Sequence, residues 1–188
     1  MSRRLLVMVL AALACGTLAG CTGGAAPGAA HHAARVTGPA GSPGHPQIFS
    51  CAEESFLNGS VPLPPQPGDL AVGPLVIISG KRLANADPAG WGEHGSYKVP
   101  LFVAKGSAVT VTIDPPARGH VVIDNPYASH GVTAAVYRSC PNVAGFFAQG
   151  FAFTDGRIRG CVPLEVRAYR EPRARHVTLS LFAGPCSG

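Results

Sequence analysis

The sequence predicts an all-β domain: an antiparallel β-sandwich of about eight strands, stapled by disulfides and carried behind a disordered tether. Three observations point there. Gly and Pro number 24 and 18 in 188 residues, too many for a helical bundle, and the glycines follow no Gly-x-y period, which excludes collagen. From Ile48 onward, short apolar runs alternate with Gly, Pro, Asn and Asp, and no part of 48–188 carries a sustained helical stripe. The same region holds four cysteines, Cys51, Cys140, Cys161 and Cys186, an even number suited to a disulfide framework in an exported chain.

Cys51 to Phe56 reads as a short helical turn or an extended lead-in, and Val61 to Gly68 as extended chain, because each proline fixes φ and restricts the residue before it. Val72 to Ile78 is the first strand run, closed by Ser79-Gly80. Tyr97 to Val103 and Ala108 to Ile113 follow, and the second alternates cleanly between apolar and polar residues. Asp114-Pro115-Pro116 ends it. The remaining runs are His120 to Asp124, Thr133 to Cys140, Phe146 to Phe153, Val162 to Tyr169 and His176 to Phe182. Two-residue periodicity places Phe147, Phe151 and Phe153 on one core-facing side, with Ala148, Gly150 and Ala152 opposite, where small residues admit a close approach. In the last run Val177, Leu179 and Leu181 face inward and His176 outward.

The N-terminus is an address. Arg3 and Arg4 precede a ten-residue apolar stretch, Leu5 to Ala14, too short for a permanent span, which needs about 20 apolar residues, but suited to the core of an export signal. Leu18-Ala19-Gly20-Cys21 follows and resembles the lipobox of bacterial prolipoproteins. That resemblance implies cleavage after Gly20, leaving residues 1–20 as signal peptide, and a diacylglyceryl thioether on Cys21. Such a thioether brings two acyl chains, enough for stable anchoring at the outer face of the cell membrane. Ser2 to Leu6 partly resembles a twin-arginine signal, so the export route stays open. Residues 21–47 are mainly Gly, Ala, Pro, Thr and Ser without apolar period and are expected to be a lipidated disordered linker reaching about 25–30 Å as a random coil. His31, His32 and His45 within it are expected to be solvated rather than metal ligands. The folded domain is then 48–188.

Four cysteines allow three pairings. The favoured one joins Cys140 to Cys161, which flank the Phe146–Phe153 run, and Cys51 to Cys186, tying the ends. A thiolate zinc site is disfavoured, since structural zinc uses closely spaced cysteine pairs and no two of these cysteines lie closer than 21 positions.

Formal charge is +5, and loss of Arg3 and Arg4 with the signal leaves about +3, too little for a protein that tracks nucleic-acid phosphates. Blue copper fails because both methionines, Met1 and Met8, lie in the signal and no histidine closely follows a domain cysteine. No nucleophile elbow, Ser-x-x-Lys, His-Glu-x-x-His or P-loop pattern is present, and no carboxylate pair stands out. No cofactor is expected.

The richest polar segment is 85–97, with Trp91 between two glycines and Glu93, His94 and Tyr97 beside it. These four residues are the candidate ligand contacts, against the alternative that Trp91 covers one end of the core. A gathering of His94, His120 and His130 on a metal is the lesser possibility. Arg157, Arg159, Arg167, Arg170, Arg173 and Arg175 form a basic cluster, either a solvated face or a contact for anionic lipid or wall polymer.

The Ala/Gly/Arg/Pro bias, the lipobox, the Phe-Ser-Cys at 49–51 and the Gly-Pro-Cys at 184–186 resemble exported lipoproteins of high-GC Gram-positive bacteria. The expectation is a lipid-anchored, extracytoplasmic binding or interaction module of the cell envelope. Its partners are the membrane and a cell-wall polymer or envelope protein, not nucleic acid. An envelope enzyme or metal protein working through the 85–97 loop, or a structural wall component without ligand, are the alternatives. Oligomeric state is not readable.

Overall fold

Short β-branched runs bounded by Gly and Pro become short strands, thirteen of them among the residues that the computed structural model describes, 39–53, 65–124 and 130–187. In order they are β1 (Gln47–Phe49), β2 (Leu70–Val72), β3 (Leu75–Ile77), β4 (Gly92–Glu93), β5 (Ser96–Lys98), β6 (Leu101–Val103), β7 (Ala108–Ile113), β8 (Val121–Asp124), β9 (Ala134–Arg138), β10 (Gly145–Phe147), β11 (Gly150–Phe153), β12 (Gly160–Ala168) and β13 (Arg175–Leu181). Single turns of 3-10 helix sit at Cys51–Glu53, Leu83–Asn85, Pro88–Gly90 and Pro115–Ala117. The signal, Cys21, His31, His32, the proline run up to Pro64 and 125–129 lie outside the described residues.

Every one of the eight expected runs contains strand. The count rises because two runs break, at Val99-Pro100 and Ala148-Gln149, while β1, β2 and β4 are too short to show a period. The Val99 N–H donates to the Gln149 carbonyl at 2.8 Å, so the two broken runs stay paired across their kinks. Pro100 has no N–H for the ladder. Gly150 is required because a Cβ there would fall on the Tyr97 carbonyl oxygen.

The strands form a five-stranded sheet in the order β1-β9-β7-β12-β13 and two four-stranded sheets, β10-β6-β3-β2 and β4-β5-β11-β8. Among the described strands every pairing is antiparallel except β1 with β9, which is parallel. The antiparallel expectation thus holds for every other pairing. Order also begins upstream of Ile48: the Gly41 carbonyl accepts from the Thr133 and Ala134 N–H groups at 2.8 Å each. Gly41 itself, at φ +81°, presses on Val132, where any side chain would collide. The stretch expected to stay disordered to residue 47 is therefore docked at Gly41 on the start of β9.

The core is one cluster. Val109, Val111 and Ile113 of β7, Val162, Leu164 and Val166 of β12, and Leu179 and Leu181 of β13 belong to it with Phe147, Phe151 and Phe153, the aromatic face predicted from alternation. Burial of each such side chain contributes about 1.5–3 kcal/mol. His176 is exposed, as alternation demands. Tyr137 links the sheets. Its ring lies 5.4 Å from Phe49 and 5.1 Å from Phe147 between centroids, and its hydroxyl donates to Gln149 Oε1. Burial pushes the Tyr137 phenol pKa far up, with the Gln149 hydrogen bond opposing, so it stays neutral.

The disulfides are Cys51–Cys140 and Cys161–Cys186, with Cα atoms 5.0 and 5.9 Å apart, so the favoured sequence pairing is overturned. Parallel register explains the first: Phe49 pairs with Tyr137, so β1 and β9 deliver Cys51 and Cys140 to the same end of the sheet. Cys161 lies elsewhere. Ala108 pairs with Arg138 and Val109 with Ala168, which aligns the end of β9 with the end of β12. Cys161 stands about seven residues back along β12, roughly 23 Å away at about 3.3 Å per residue, far beyond disulfide reach. Cys161 pairs instead with Ser180, and the turn after β13 brings Cys186 back to it, with Ser180 Oγ donating to the Gly184 carbonyl at 2.6 Å.

Candidate ligand-binding groove

The segment 85–97 is more ordered than a long loop. Asp87 accepts from the Ala89 N–H at 3.1 Å and caps the turn Pro88–Gly90, where proline takes a first-turn position. Glu93 pairs with Ser96 across a two-residue hairpin turn whose central residues, His94 and Gly95, have φ of +53° and +83°, the combination a type I′ turn requires. This geometry separates the four candidate residues. Trp91 is half-buried and packs on the core cluster. Tyr97 is only 3% exposed, lies edge-on to Phe182 at 4.6 Å, and donates to the Ile158 carbonyl at 2.9 Å. Glu93 and His94 stand in solvent at the hairpin tip, 3.9 Å apart. Two of the four turn inward and two outward, and of the four Tyr97 also lines a pocket. His120 is engaged elsewhere, with Asp155 at 2.9 Å. Among the described residues no three His, Cys, Asp or Glu side chains gather as a metal site.

The small side of the phenylalanine run forms the floor of a pocket of about 370 Å³, with Gly150 between Lys98 and Asp124 across the strands. Asp124 there accepts from Ser96 Oγ at 2.6 Å.

The basic cluster splits in two. Arg157 and Arg159 precede β12, whereas Arg167, Arg170, Arg173 and Arg175 gather around its far end, about 27 Å on for nine residues of strand. Arg157 is tied to Asp155 at 2.6 Å. Desolvation pushes the Asp155 carboxyl up, but the Arg157 N–H and guanidinium, helped by His120, outweigh it and hold the carboxyl below its ordinary range.

The far end opens on a groove of about 670 Å³ on the outer face of the five-stranded sheet. Alternation builds it. With Val109, Val111, Val166 and Ala168 turned to the core, Ala108, Thr110 and Arg167 must face out, and on β9 so must Val136 and Arg138. Small residues make the floor: Ala108, Thr110 and Val136. Arg138, Arg167, Tyr169 and Arg170 make the walls. Arg138 pairs with Ala108, whose carbonyl accepts from the Tyr169 N–H at 2.8 Å, so Arg138 and Tyr169 face each other across a methyl-sized floor.

The charges within the groove are not alike. Arg167 is held by Glu165 at 3.1 Å, and at the rim Arg175 holds Glu171 at 3.2 Å. The guanidiniums of Arg138 and Arg170 have no carboxylate or hydrogen-bond partner among the described residues. Tyr169 is 73% exposed, and the Arg170 guanidinium lies 5.4 Å from its ring centroid. Arg170 also has a left-handed backbone, φ +74°. Sequence reasoning placed Arg167 and Arg170 in the basic cluster but missed Arg138, which is 29 positions from Arg167 and joins it only through strand order. The alternation Ala134, Val136, Arg138 on β9 is the signal that could have found it.

Comparison with family models, with curated proteins and with solved structures gives no match to this chain.

Proposed function

We propose that this protein is a lipid-anchored, extracytoplasmic binding module that holds an anionic polymer of the cell envelope in the groove on its five-stranded sheet. The observation that carries the proposal is convergence. Three guanidiniums, from β9, from β12 and from the residue two beyond β12, line one groove, and two of them lack a carboxylate. Guanidinium forks match carboxylate and phosphate groups geometrically, and a concave floor of small residues leaves space for a ligand above them. The lipobox ending at Cys21 supports the location, with a diacylglyceryl anchor holding the module to the outer face of the cell membrane. Tyr169 is the one aromatic side chain among the groove's lining residues and supplies a platform beside the cations.

Two experiments test this. The folded domain is titrated with polyanions, and the same titration is run on Arg138→Ala/Arg170→Ala. The wild type binds with an affinity that falls as salt rises, because screening shortens from about 10 Å at 0.1 M to about 3 Å at 1 M, and the double variant loses at least tenfold. Salt-independent binding, or full affinity in the variant, refutes the groove. For the anchor, cells are grown with a labelled fatty acid; wild type takes up label and Cys21→Ala does not, whereas an unlabelled wild type refutes lipidation.

A further inference from the structure

The groove has more than charge. Its two walls differ: one presents the Arg138 guanidinium, the other an exposed tyrosine ring flanked by Arg170, and the two are separated by two strand spacings, about 10 Å from backbone to backbone. Between them the floor is Ala108, with Thr110 and Val136 alongside. A solvated basic face needs no such ring. An exposed tyrosine in a groove offers a flat apolar surface with a polar tip, the surface that binding sites use to hold a ligand with both apolar and polar parts. The Arg170 guanidinium lies 5.4 Å from the centroid of that ring, on the same wall.

Resting on the proposed anion groove, we infer that its ligand is an anionic glycan: a saccharide chain whose ring packs on Tyr169 while a carboxylate or phosphate substituent is held by Arg138 and Arg170. Ring and anion must belong to the same repeat, because platform and cations share one row of the sheet. Arg167, already bonded to Glu165, adds charge one row further along β12, where Thr110 is its partner, and so favours a polymer over a single sugar.

The test compares four probes of matched length on the folded domain: an oligogalacturonide (ring with carboxylate), a phosphorylated oligosaccharide (ring with phosphate), inorganic polyphosphate (anion without ring) and neutral dextran oligosaccharide (ring without anion). The first or the second binds at least tenfold tighter than polyphosphate at equal charge, and dextran binds least; which of the two is tighter identifies the anion. Tyr169→Ala weakens the preferred glycan about tenfold toward the polyphosphate level, Tyr169→Phe retains it, and both melt within about 2 °C of wild type, as exposed substitutions do. Polyphosphate binding as tightly as both glycans, with Tyr169→Ala silent, overturns the glycan inference while leaving an anion groove. Absence of binding to all three anionic probes, or binding unchanged in Arg138→Ala/Arg170→Ala, overturns the anion groove itself. Dextran binding as tightly as the charged glycans overturns the anionic requirement.

Discussion

Substitution at Arg170 separates what the turn after β12 needs from what a ligand needs. A side chain in the left-handed region costs about 1–2 kcal/mol, and Arg170 sits there at φ +74°. Glycine escapes that cost but loses about 0.5–1 kcal/mol more chain entropy on folding. Arg170→Gly and Arg170→Ala both delete the guanidinium that lies 5.4 Å from the Tyr169 ring, so the loss of that contact cancels between them. The backbone remains, and Arg170→Gly is expected to be the more stable of the two by about 0.5–1 kcal/mol. In a domain of this size that is a Tm higher by about 1–4 °C. The order is diagnostic because alanine is the more stable residue in ordinary helix or strand. Urea and thermal unfolding of both variants measure it, and titration with the preferred polyanion shows equal losses of affinity in the two. An alanine variant as stable as the glycine variant would mean that the backbone is not strained at this position. A glycine variant with undiminished affinity would remove Arg170 from the ligand site.

Three further outcomes follow from the same geometry. Loss of Cys51–Cys140, which closes a separation of 89 residues, is expected to cost about 4.6 kcal/mol, and loss of Cys161–Cys186, a separation of 25, about 3.5 kcal/mol on chain entropy; non-reducing peptide mapping checks the pairing, and a Cys140–Cys161 peptide would contradict the strand register. Gln149→Leu leaves the buried Tyr137 hydroxyl without its acceptor and should cost about 1–3 kcal/mol, whereas Tyr137→Phe/Gln149→Leu should recover most of it, because the buried Gln149 amide nitrogen has no partner of its own among the described residues; a double variant as unstable as the single one would refute this. Asp155 is held below its ordinary value of 3.8, so its stabilising contribution is present above that pH and is lost as pH falls through the lower folded value; Asp155→Asn should flatten the fall in wild-type Tm below about pH 4, and parallel Tm–pH curves would count against the pairing with Arg157 and His120.

What alternation reports, the sequence made legible: eight runs contain strand, Phe147, Phe151 and Phe153 face inward, and His176 faces out, because a half-buried strand writes its two faces at a period of two residues. Strand order has no such signature. Cys140 and Cys161 flank the Phe146–Phe153 run in sequence, yet β10 and β11 belong to the four-stranded sheets while β9 and β12 lie on either side of β7, so nearness along the chain said nothing of nearness in space. The parallel β1–β9 pair, three residues against five, is too short to show a period and alone decides where Cys51 goes. The direction of the 85–97 side chains was hidden for a related reason. Trp91 sits between glycines, but Gly90 closes the turn Pro88–Gly90 and Gly92 pairs with Tyr97 in the hairpin, and both rings pack on the core. Arg138 was invisible because its neighbours in the groove come from 108–110 and 167–170.

The distinction between a solvated basic face and a binding groove lies in how the charges are partnered. A face that only keeps a chain soluble gains little from its geometry, because exposed ion pairs contribute about 0–1 kcal/mol and exposed cations need no partner at all. On that account the arginines of the sheet should be interchangeable. They are not. Glu165 and Glu171 take Arg167 and Arg175, and of the guanidiniums at this end without a carboxylate among the described residues, which include that of Arg173, those of Arg138 and Arg170 line one groove from opposite walls, the second of them beside an exposed ring. Solubility explains neither feature, whereas an anion that bridges the walls accounts for the first and a sugar ring for the second. The same inequality supplies a control that a solvated face could not pass. Removing the partnered Arg175 should leave polyanion affinity within about twofold of wild type, and removing Arg138, with the same change in net charge, should weaken it at least tenfold. Equal losses would mean that the ligand responds to net charge alone, and the groove would then be only the place where that charge is densest.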